Sequence, residues 1–278
     1  MLGFGAGHIG EPTLSEKKIE YFLNEILDSG ITLIDTARSY GLSEERIGRY
    51  LAARRSEYIL STKIGYGIAG IADWTAPIIP AGVETALKNL KTDYIDIVHF
   101  HSCPLETLQQ EELTETLNRL VEAGKVRIAA YSGENEALEY AIQSGNFAGV
   151  QTSVNIFDQR VIDRILPLTT EKGIGLIAKR PLGNAVWRFK ERPENQDGEI
   201  YWSRMNKMGL DFGEDWPEIA LRFTAFTPGV DSCITGSSNI KNIRKNIQYL
   251  EKGPLTKELY SRIRKAFRKN DDNWTGHI

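Results

Sequence analysis

The chain has 278 residues, 41% of them apolar, and a formal net charge of -3 with a pI near 5.9. A chain of this size can bury one large core, and no stretch rich in Gly, Ser or Pro divides it, so we expect a single domain over residues 1–278. The acidic balance argues against nucleic-acid and acidic-membrane partners. Two cysteines, and a Met1 followed by neither a cationic leader nor a long apolar run, favour a cytoplasmic protein without a membrane segment.

Short apolar runs alternate along the chain with longer amphipathic segments. Leu2 to Ala6 predicts a strand, and helical spacing of apolar residues from Ile19 to Leu27 predicts a helix that ends at Gly30. Leu33 to Asp35 reads as the second strand, after which Ser43 and two glutamates open a second helix. Six further strands are predicted at Tyr58 to Lys63, Tyr94 to His101, Val126 to Tyr131, Gly149 to Asn155, Ile174 to Lys179 and Ser232 to Thr235.

Eight strands, each followed by a helix, over about 250 residues are typical of a parallel (β/α)8 barrel, the TIM barrel fold. An open doubly wound sheet is the alternative, because Gly5-Ala6-Gly7-His8-Ile9-Gly10 matches the dinucleotide fingerprint G-x-G-x-x-G. In that fingerprint the helix starts within the glycine turn, whereas Glu11-Pro12-Thr13 intervenes here. We therefore predict the barrel and interpret the glycines as a turn that something approaches closely.

Four ionisable residues stand where three successive strands end. Asp35 and Tyr40 follow the second strand, Lys63 ends the third and His101 ends the fourth. In a parallel barrel these strand ends meet at one face, where catalytic residues collect, so we expect the four side chains to form an active site. His99 and His101 also match a metal-ligand pattern, which makes a zinc-dependent hydrolase a rival hypothesis. Histidine is scarce elsewhere, so we predict no metal and place His99 one layer deeper as a core histidine.

The chain resembles the aldo-keto reductase family from Gly3 to about Leu250. The resemblance is carried by several motifs in order rather than by any one of them. These are Asp35-Thr36-Ala37 with Tyr40-Gly41 and Glu45-x-x-Gly48, Thr62-Lys63, Leu90 to Asp96 leading to His101, Gln151 with Asn155, Pro181-Leu182, and Gly236 with Asn246.

The resemblance implies reduction of an aldehyde or ketone to an alcohol, with Asp35, Tyr40, Lys63 and His101 as the catalytic set. Hydride addition to a carbonyl builds negative charge on oxygen, and a general acid must neutralise it. Tyr40 would be that acid, and the Lys63 ammonium would favour loss of its proton while Asp35 keeps the ammonium charged. His101 would hydrogen-bond the substrate oxygen.

The resemblance also implies a nicotinamide cofactor, NADPH by family habit with NADH as the alternative. Three positions depart from the family pattern: Gly133 stands where Asn is common, Lys179 where an aromatic ring stacks on the nicotinamide, and Asn242 where an Arg recognises the 2′-phosphate. An Arg180 plane could replace the aromatic ring or approach the pyrophosphate. The candidate cofactor residues are Gly5, Ala6, Ser132, Gln151, Lys179, Arg180, Pro181, Leu182, Gly236, Ser237, Asn242 and Asn246.

The substrate pocket is the least determined part of the chain. We expect segment 184–215 to be a lid or binding loop and Trp74 and Trp187 to contact a small carbonyl compound, although such aromatic residues equally serve as anchors of a long loop. The sequence fixes no oligomeric state and is compatible with a monomer. A second hypothesis is a sensor or regulatory subunit that binds the cofactor with little turnover.

Overall fold

The computed structural model describes residues 1–194 and 196–277. Within this part of the chain, eight parallel strands close into a barrel in sequence order, which confirms the predicted (β/α)8 fold. The last strand pairs with the first, so the sheet has no free edge. The strands are β1 Leu2–Gly5, β2 Leu33–Asp35, β3 Ile59–Ile64, β4 Ile95–His101, β5 Val126–Ser132, β6 Gly149–Ser153, β7 Gly175–Lys179 and β8 Ser232–Thr235.

At least one helix follows each strand and forms the right-handed connection to the next parallel strand. None of those in the described residues is long and apolar enough to cross a membrane. The α-helices are α1 Glu16–Asp28, α2 Ser43–Leu51, α3 Ile78–Leu90, α4 Leu105–Leu108, α5 Glu111–Glu122, α6 Asn135–Ser144, α7 Arg160–Lys172, α8 Glu199–Met208, α9 Trp216–Ala225, α10 Ile240–Glu251 and α11 Lys257–Asn270. Short 3-10 helices span Ala6–Gly10, Ala52–Glu57, Gly183–Arg188 and Gly213–Asp215.

The segment 184–215, expected to form a loop, is instead largely helical. It contains most of the 3-10 helix Gly183–Arg188 and all of α8. Its buried side chains form a second apolar cluster with α9 and α11, separate from the main core between the barrel and its helices. The buried members of this cluster include Phe157, Tyr201, Met208, Trp216, Phe223, Ile263 and Phe267.

A buried arginine joins the loop after β1 to α2. Arg46 is 1% exposed, and its guanidinium donates to the carbonyl oxygens of Ile9 (2.6 Å), Glu11 (2.7 Å) and Leu14 (3.2 Å). The same group forms an ion pair with the Glu16 carboxylate at 2.7 Å. Arg46 therefore satisfies three carbonyl oxygens of the loop and the Glu16 carboxylate at the start of α1, and it fixes the loop beside the barrel mouth.

We expect Arg46→Met to lower the free energy of unfolding by about 3 kcal/mol, because three carbonyl oxygens and the Glu16 carboxylate lose a buried partner. Arg49→Met is the matched control, since Arg49 pairs with the same carboxylate at 3.1 Å from a half-exposed position. Its loss should cost less than about 1 kcal/mol. Urea unfolding of both variants measures the difference, and equal effects would contradict the proposed role of Arg46.

Candidate active site

A buried ion pair lies at the centre of the barrel mouth. The β2–β3 register sets Asp35 beside Ser61, two residues before Lys63. The Lys63 Nζ atom donates to Asp35 Oδ2 at 2.5 Å and to the carbonyl oxygen of Thr36 at 2.8 Å. Both side chains are 2% exposed or less. The structure therefore brings together the acid and the ammonium that the sequence predicted at neighbouring strand ends.

Each charge of this pair is maintained by the other. Burial raises the pKa of Asp35, but the Lys63 charge, His99 and the hydrogen bonds from Lys63 and Ser61 together outweigh it, so the pKa lies below its ordinary value. Burial likewise lowers the pKa of Lys63, and the Asp35 charge, Tyr40 and the hydrogen bonds to both together outweigh this effect and raise the pKa. The pair is thus a carboxylate and an ammonium at neutral pH, held where no water solvates them.

The Asp35 carboxylate is further held by neutral donors on other strands. Oδ1 accepts from Ser61 Oγ at 2.7 Å and from Gln151 Nε2 at 2.9 Å. The Gln151 amide oxygen in turn accepts from Ser132 Oγ at 3.2 Å. Since Ser61 gives its proton to Asp35, its oxygen accepts from Nε2 of His99, 3.0 Å away and fully buried. His99 is thus a hydrogen-bonded core histidine, as predicted.

Tyr40 lies beside this pair, on the loop between β2 and α2. Its ring centre is 5.0 Å from Lys63 Nζ, and it meets the His101 ring edge-on with 6.1 Å between centroids. The loop is locked to the glycine-rich turn after β1. A Cβ on Gly10 would lie 1.7 Å from the Tyr40 carbonyl oxygen, and Leu42 N donates to the Gly10 carbonyl oxygen at 3.0 Å. Gly10, the last glycine of the apparent dinucleotide fingerprint, therefore positions the Tyr40 backbone.

His101 is the fourth member of the predicted set, at the end of β4. Burial, and then the charges of Lys63 and Lys179, lower its pKa to about 3, so the ring is neutral at physiological pH. Its Nδ1 atom lies 2.6 Å from the hydroxyl of Tyr66, a residue of the loop after β3. All four predicted catalytic side chains thus gather at one face, and His101 can present only Nε2 to a ligand.

The inner wall departs from the family pattern at two of the positions that the sequence singled out. A Cβ on Gly133 would lie 2.4 Å from the Tyr131 hydroxyl, so no larger residue fits there while Tyr131 donates to the Cys103 carbonyl oxygen at 3.0 Å. Lys179 forms an ion pair with the buried Glu134 at 3.2 Å, and burial lowers its pKa. A buried ion pair therefore stands where the family has an aromatic ring.

Arg180 is in the left-handed region (φ 54°) and donates to Ser153 Oγ at 3.3 Å and to the His277 carbonyl oxygen. Pro181 is buried and Leu182 packs against both apolar clusters, and the Pro181 carbonyl oxygen accepts from Thr224 Oγ1 at 3.3 Å. These residues shape the exit from β7 and connect it to segment 271–277.

The end of β8 offers the features that a phosphate group needs. A Cβ on Gly236 would lie 3.1 Å from the Gly5 carbonyl oxygen, so small residues let the loops after β1 and β8 approach each other. Ala6 is buried behind them. Ser237 Oγ accepts from Asn242 Nδ2 at 3.1 Å, and Asn246 Nδ2 donates to Thr235 Oγ1 at 3.3 Å. The α10 start is exposed and carries cations, which fits an adenosine-phosphate group.

The two predicted substrate tryptophans lie in different surroundings. Trp74 packs edge-on against Tyr66 and Phe100, with centroids 6.0 and 6.1 Å apart, and so borders the His101 side of the mouth. Trp187 stacks on Trp216 at 5.4 Å inside the second apolar cluster. The placement of Trp187 favours the anchor interpretation over contact with substrate.

Sequence reasoning missed several residues that complete the site. Ser61, Glu134 and Tyr66 have no motif of their own, but two of them follow a detectable rule, since Ser61 alternates with Lys63 on one strand face and Glu134 follows a strand end. No group of three or more His, Cys, Asp or Glu side chains in residues 1–194 and 196–277 is arranged to hold a metal ion.

Comparison with known proteins places this site in a family. A sequence profile described as the Aldo/keto reductase family matches residues 1–268. The chain is 29% identical to the uncharacterized oxidoreductase YqkF of Bacillus subtilis, with 92% of this chain and 89% of that protein covered. It is 26% identical to a probable voltage-gated potassium channel subunit beta of Oryza sativa subsp. japonica (94% and 91% covered). The holo form of an aldo-keto reductase from Bacillus halodurans superposes with a TM-score of 0.81 at 27% identity, covering 95% and 91%.

We expect Gly10→Ala to slow carbonyl reduction, the reaction that the family resemblance implies, by about 100-fold, because the new Cβ must displace the Tyr40 backbone. Gly7→Ala is the control within the same turn, since its Cβ would meet no atom closer than 3.7 Å. Steady-state rates of the two variants test this. Equal rates in Gly10→Ala and Gly7→Ala would mean that the turn does not position Tyr40.

The neutral histidines predict how the stability of the fold depends on pH. Burial lowers the pKa of His99 to about 4 and, with Lys63, that of His101 to about 3, whereas unfolded His titrates near pKa ~6.5. Between these values the unfolded chain binds more protons, so the free energy of unfolding is fully present above about pH 6.5 and falls as the pH falls through this window.

Urea unfolding at about pH 6.5 and about pH 4.5 measures this loss. His101→Asn should reduce it by up to about 1.4 kcal/mol per pH unit, the effect of one proton. His8→Asn, at an exposed position, should leave it unchanged. An identical pH dependence in wild type and His101→Asn would contradict a neutral, buried His101.

Proposed function

The chain belongs to the aldo/keto reductase family, and we propose that it reduces a small aldehyde or ketone to an alcohol with Tyr40 as the proton donor. NAD(P)H-dependent carbonyl reduction is the activity of the family, and the identity of the proton donor is our own assignment. The observation that carries it is the buried Lys63 ammonium, held charged by Asp35 and 5.0 Å from the centre of the Tyr40 ring.

The physical argument concerns the charge that develops on the substrate oxygen. A bound reduced nicotinamide supplies the hydride. Tyr40 donates a proton to the oxygen that becomes negative, and the adjacent Lys63 ammonium favours this because it stabilises the phenolate left behind. Asp35 keeps the ammonium protonated and in place. The neutral His101 ring donates a hydrogen bond from Nε2 and sets the distance between the substrate oxygen and Tyr40.

The cofactor site is proposed from residues at or near the ends of five strands, β1, β5, β6, β7 and β8. Ser132 and Gln151 face the nicotinamide end, where the Lys179–Glu134 pair offers a donor and an acceptor in place of the family's aromatic ring. Arg180 would face the pyrophosphate. Gly5, Ala6, Gly236 and Ser237 leave room for the adenosine phosphate, and Asn246 supports that loop from α10. Pro181 and Leu182 shape the wall between the two ends.

We propose NADPH as the preferred cofactor and NADH as the weaker ligand. Asn242 is exposed but uncharged, and its amide donates to Ser237 Oγ at 3.1 Å. Lys241, Arg244 and Lys245 are nevertheless exposed on the first turns of α10, close to where a 2′-phosphate would lie. Arg244 is partly neutralised by its ion pair with Glu25, which leaves the two lysines as the main electrostatic contribution.

For the substrate, we propose that Trp74 and not Trp187 borders the carbonyl compound. Trp74 is half-buried beside Tyr66 and Phe100 at the His101 side of the mouth. Its apolar ring suits an uncharged aldehyde or ketone with a hydrophobic substituent.

A second candidate function is a cofactor-binding regulatory subunit with little turnover. The observation in its favour is the 26% identity to a protein named as a probable voltage-gated potassium channel subunit beta. The reductase is favoured because the four predicted catalytic side chains lie together at the barrel mouth. These are Asp35, Tyr40, Lys63 and His101.

The test combines a binding and a rate measurement on wild type and Tyr40→Phe. Intrinsic fluorescence of the five tryptophans reports binding of NADPH and of NADH without any assumption about substrate. We expect both proteins to bind NADPH equally and more tightly than NADH. The reduction rate of Tyr40→Phe with a panel of aldehydes and ketones should fall by about 100-fold or more, since a general acid contributes at least this much.

Tight NADPH binding without turnover by wild type would favour the regulatory subunit. Failure of both cofactors to bind wild type would remove both functions. Loss of binding in Tyr40→Phe would show that Tyr40 is structural and not the proton donor.

A further inference from the structure

We infer that Tyr66 is a positioning residue that fixes the tautomer of His101, so that Nε2 carries the ring proton and points it at the substrate oxygen. This role rests on the proposed function for its substrate, but the tautomer itself is a property of the free protein. Nothing in the sequence motifs marks Tyr66, which lies in the loop after β3.

The side chains of Tyr66 and His101 are in direct contact, and the neighbouring Trp74 ring restricts the position of Tyr66. The Tyr66 hydroxyl lies 2.6 Å from His101 Nδ1, and the two rings stack with 5.5 Å between centroids and 24° between planes. Trp74 packs edge-on against the Tyr66 ring, 6.0 Å away. The chain reaches this arrangement through Gly65, whose φ of 126° a side chain rarely adopts and over which the Trp74 ring lies.

A neutral imidazole has one donor and one acceptor nitrogen, so the partner of Nδ1 decides what Nε2 can do. If Tyr66 donates to Nδ1, the proton resides on Nε2, which then donates to a carbonyl oxygen. If Nδ1 donated to Tyr66 instead, Nε2 would offer only a lone pair to an oxygen that is itself an acceptor. Only the first arrangement can hold the substrate.

The surroundings favour the first arrangement. A phenol is a stronger acid than a neutral imidazole N–H, so between these two partners the phenol is the better donor. The Tyr66 hydroxyl has one hydrogen and two neighbours that can accept it, His101 Nδ1 at 2.6 Å and Ser39 Oγ at 3.1 Å, and the shorter distance favours Nδ1. The ring also stays neutral, because burial and the charges of Lys63 and Lys179 lower its pKa and the Asp35 carboxylate does not offset them.

The experiment is long-range ¹H–¹⁵N correlation NMR on the full chain with ¹⁵N-labelled histidine, in the absence of cofactor. The signals of His101 are identified by their disappearance in His101→Asn. In wild type we expect an unprotonated, hydrogen-bonded Nδ1 and a protonated Nε2. In Tyr66→Phe, which keeps the ring and removes the hydroxyl, both nitrogens should shift towards values of mixed tautomers.

Asp73→Ala is the matched control. The Asp73 carboxylate accepts from Gly67 N at 2.9 Å, so its loss loosens the same loop without removing the Tyr66 hydroxyl. The His101 signals of this variant should match wild type. A proton on Nδ1 in wild type, or His101 signals unchanged in Tyr66→Phe, would overturn the assignment. Equal shifts in both variants would do the same, because they would reflect the loop and not the hydroxyl.

Enzyme kinetics provide a second readout. For Tyr66→Phe, kcat/KM for carbonyl reduction should fall about tenfold, the equivalent of one hydrogen bond, while the NADPH dissociation constant stays unchanged. The two hypotheses fail separately. Absence of any reduction by wild type would remove the proposed function and leave the tautomer result standing, whereas full activity in Tyr66→Phe with wild-type His101 signals would remove only the role of Tyr66.

Discussion

The arrangement of the mouth depends on one interaction, the ion pair between Lys63 and Asp35. Removing two charges from water is costly, and the mutual attraction offsets this only with good geometry and further hydrogen bonds. The pair has both, since Thr36 accepts a further hydrogen bond from Lys63, and Ser61 and Gln151 donate to Asp35 Oδ1. Because these partners come from β2, β3 and β6, the cost of leaving any charge unpaired constrains three strand ends at once.

The sequence predicted the part of this site that strand order determines. Asp35, Lys63 and His101 end successive parallel strands, and in a closed barrel the ends of such strands are adjacent whatever the loops do. The sequence did not predict the contacts that loops make. Tyr66 meets His101 only because Gly65 turns the chain at a positive φ, and no periodic pattern encodes that turn.

The residues of segment 184–215 explain why the sequence did not predict helix α8. In α8 the inward face includes Arg204 beside Tyr201 and Met208, so a charge interrupts the apolar period that reveals a helix. Gly198 stands at its start and supplies no side-chain cap. The two terminal nitrogens of Arg204 nevertheless have partners, because Nη1 and Nη2 donate to the carbonyl oxygens of Phe157 and Thr275 at 3.1 and 2.6 Å. Only the tertiary structure makes that burial favourable.

Hydrogen bonds from arginine side chains to backbone carbonyl oxygens also hold segment 271–277 beside the barrel mouth. Arg160 and Arg180 donate to the carbonyl oxygens of Trp274 and His277, as Arg204 does to that of Thr275. A guanidinium bound to a neutral carbonyl keeps its full charge, whereas one bound to a carboxylate does not. Arg204 also pairs with the Asp158 carboxylate at 3.9 Å, whereas Arg180 donates to Ser153 Oγ and to the His277 carbonyl oxygen and so preserves positive potential beside β7. That potential has the sign that an anionic cofactor needs.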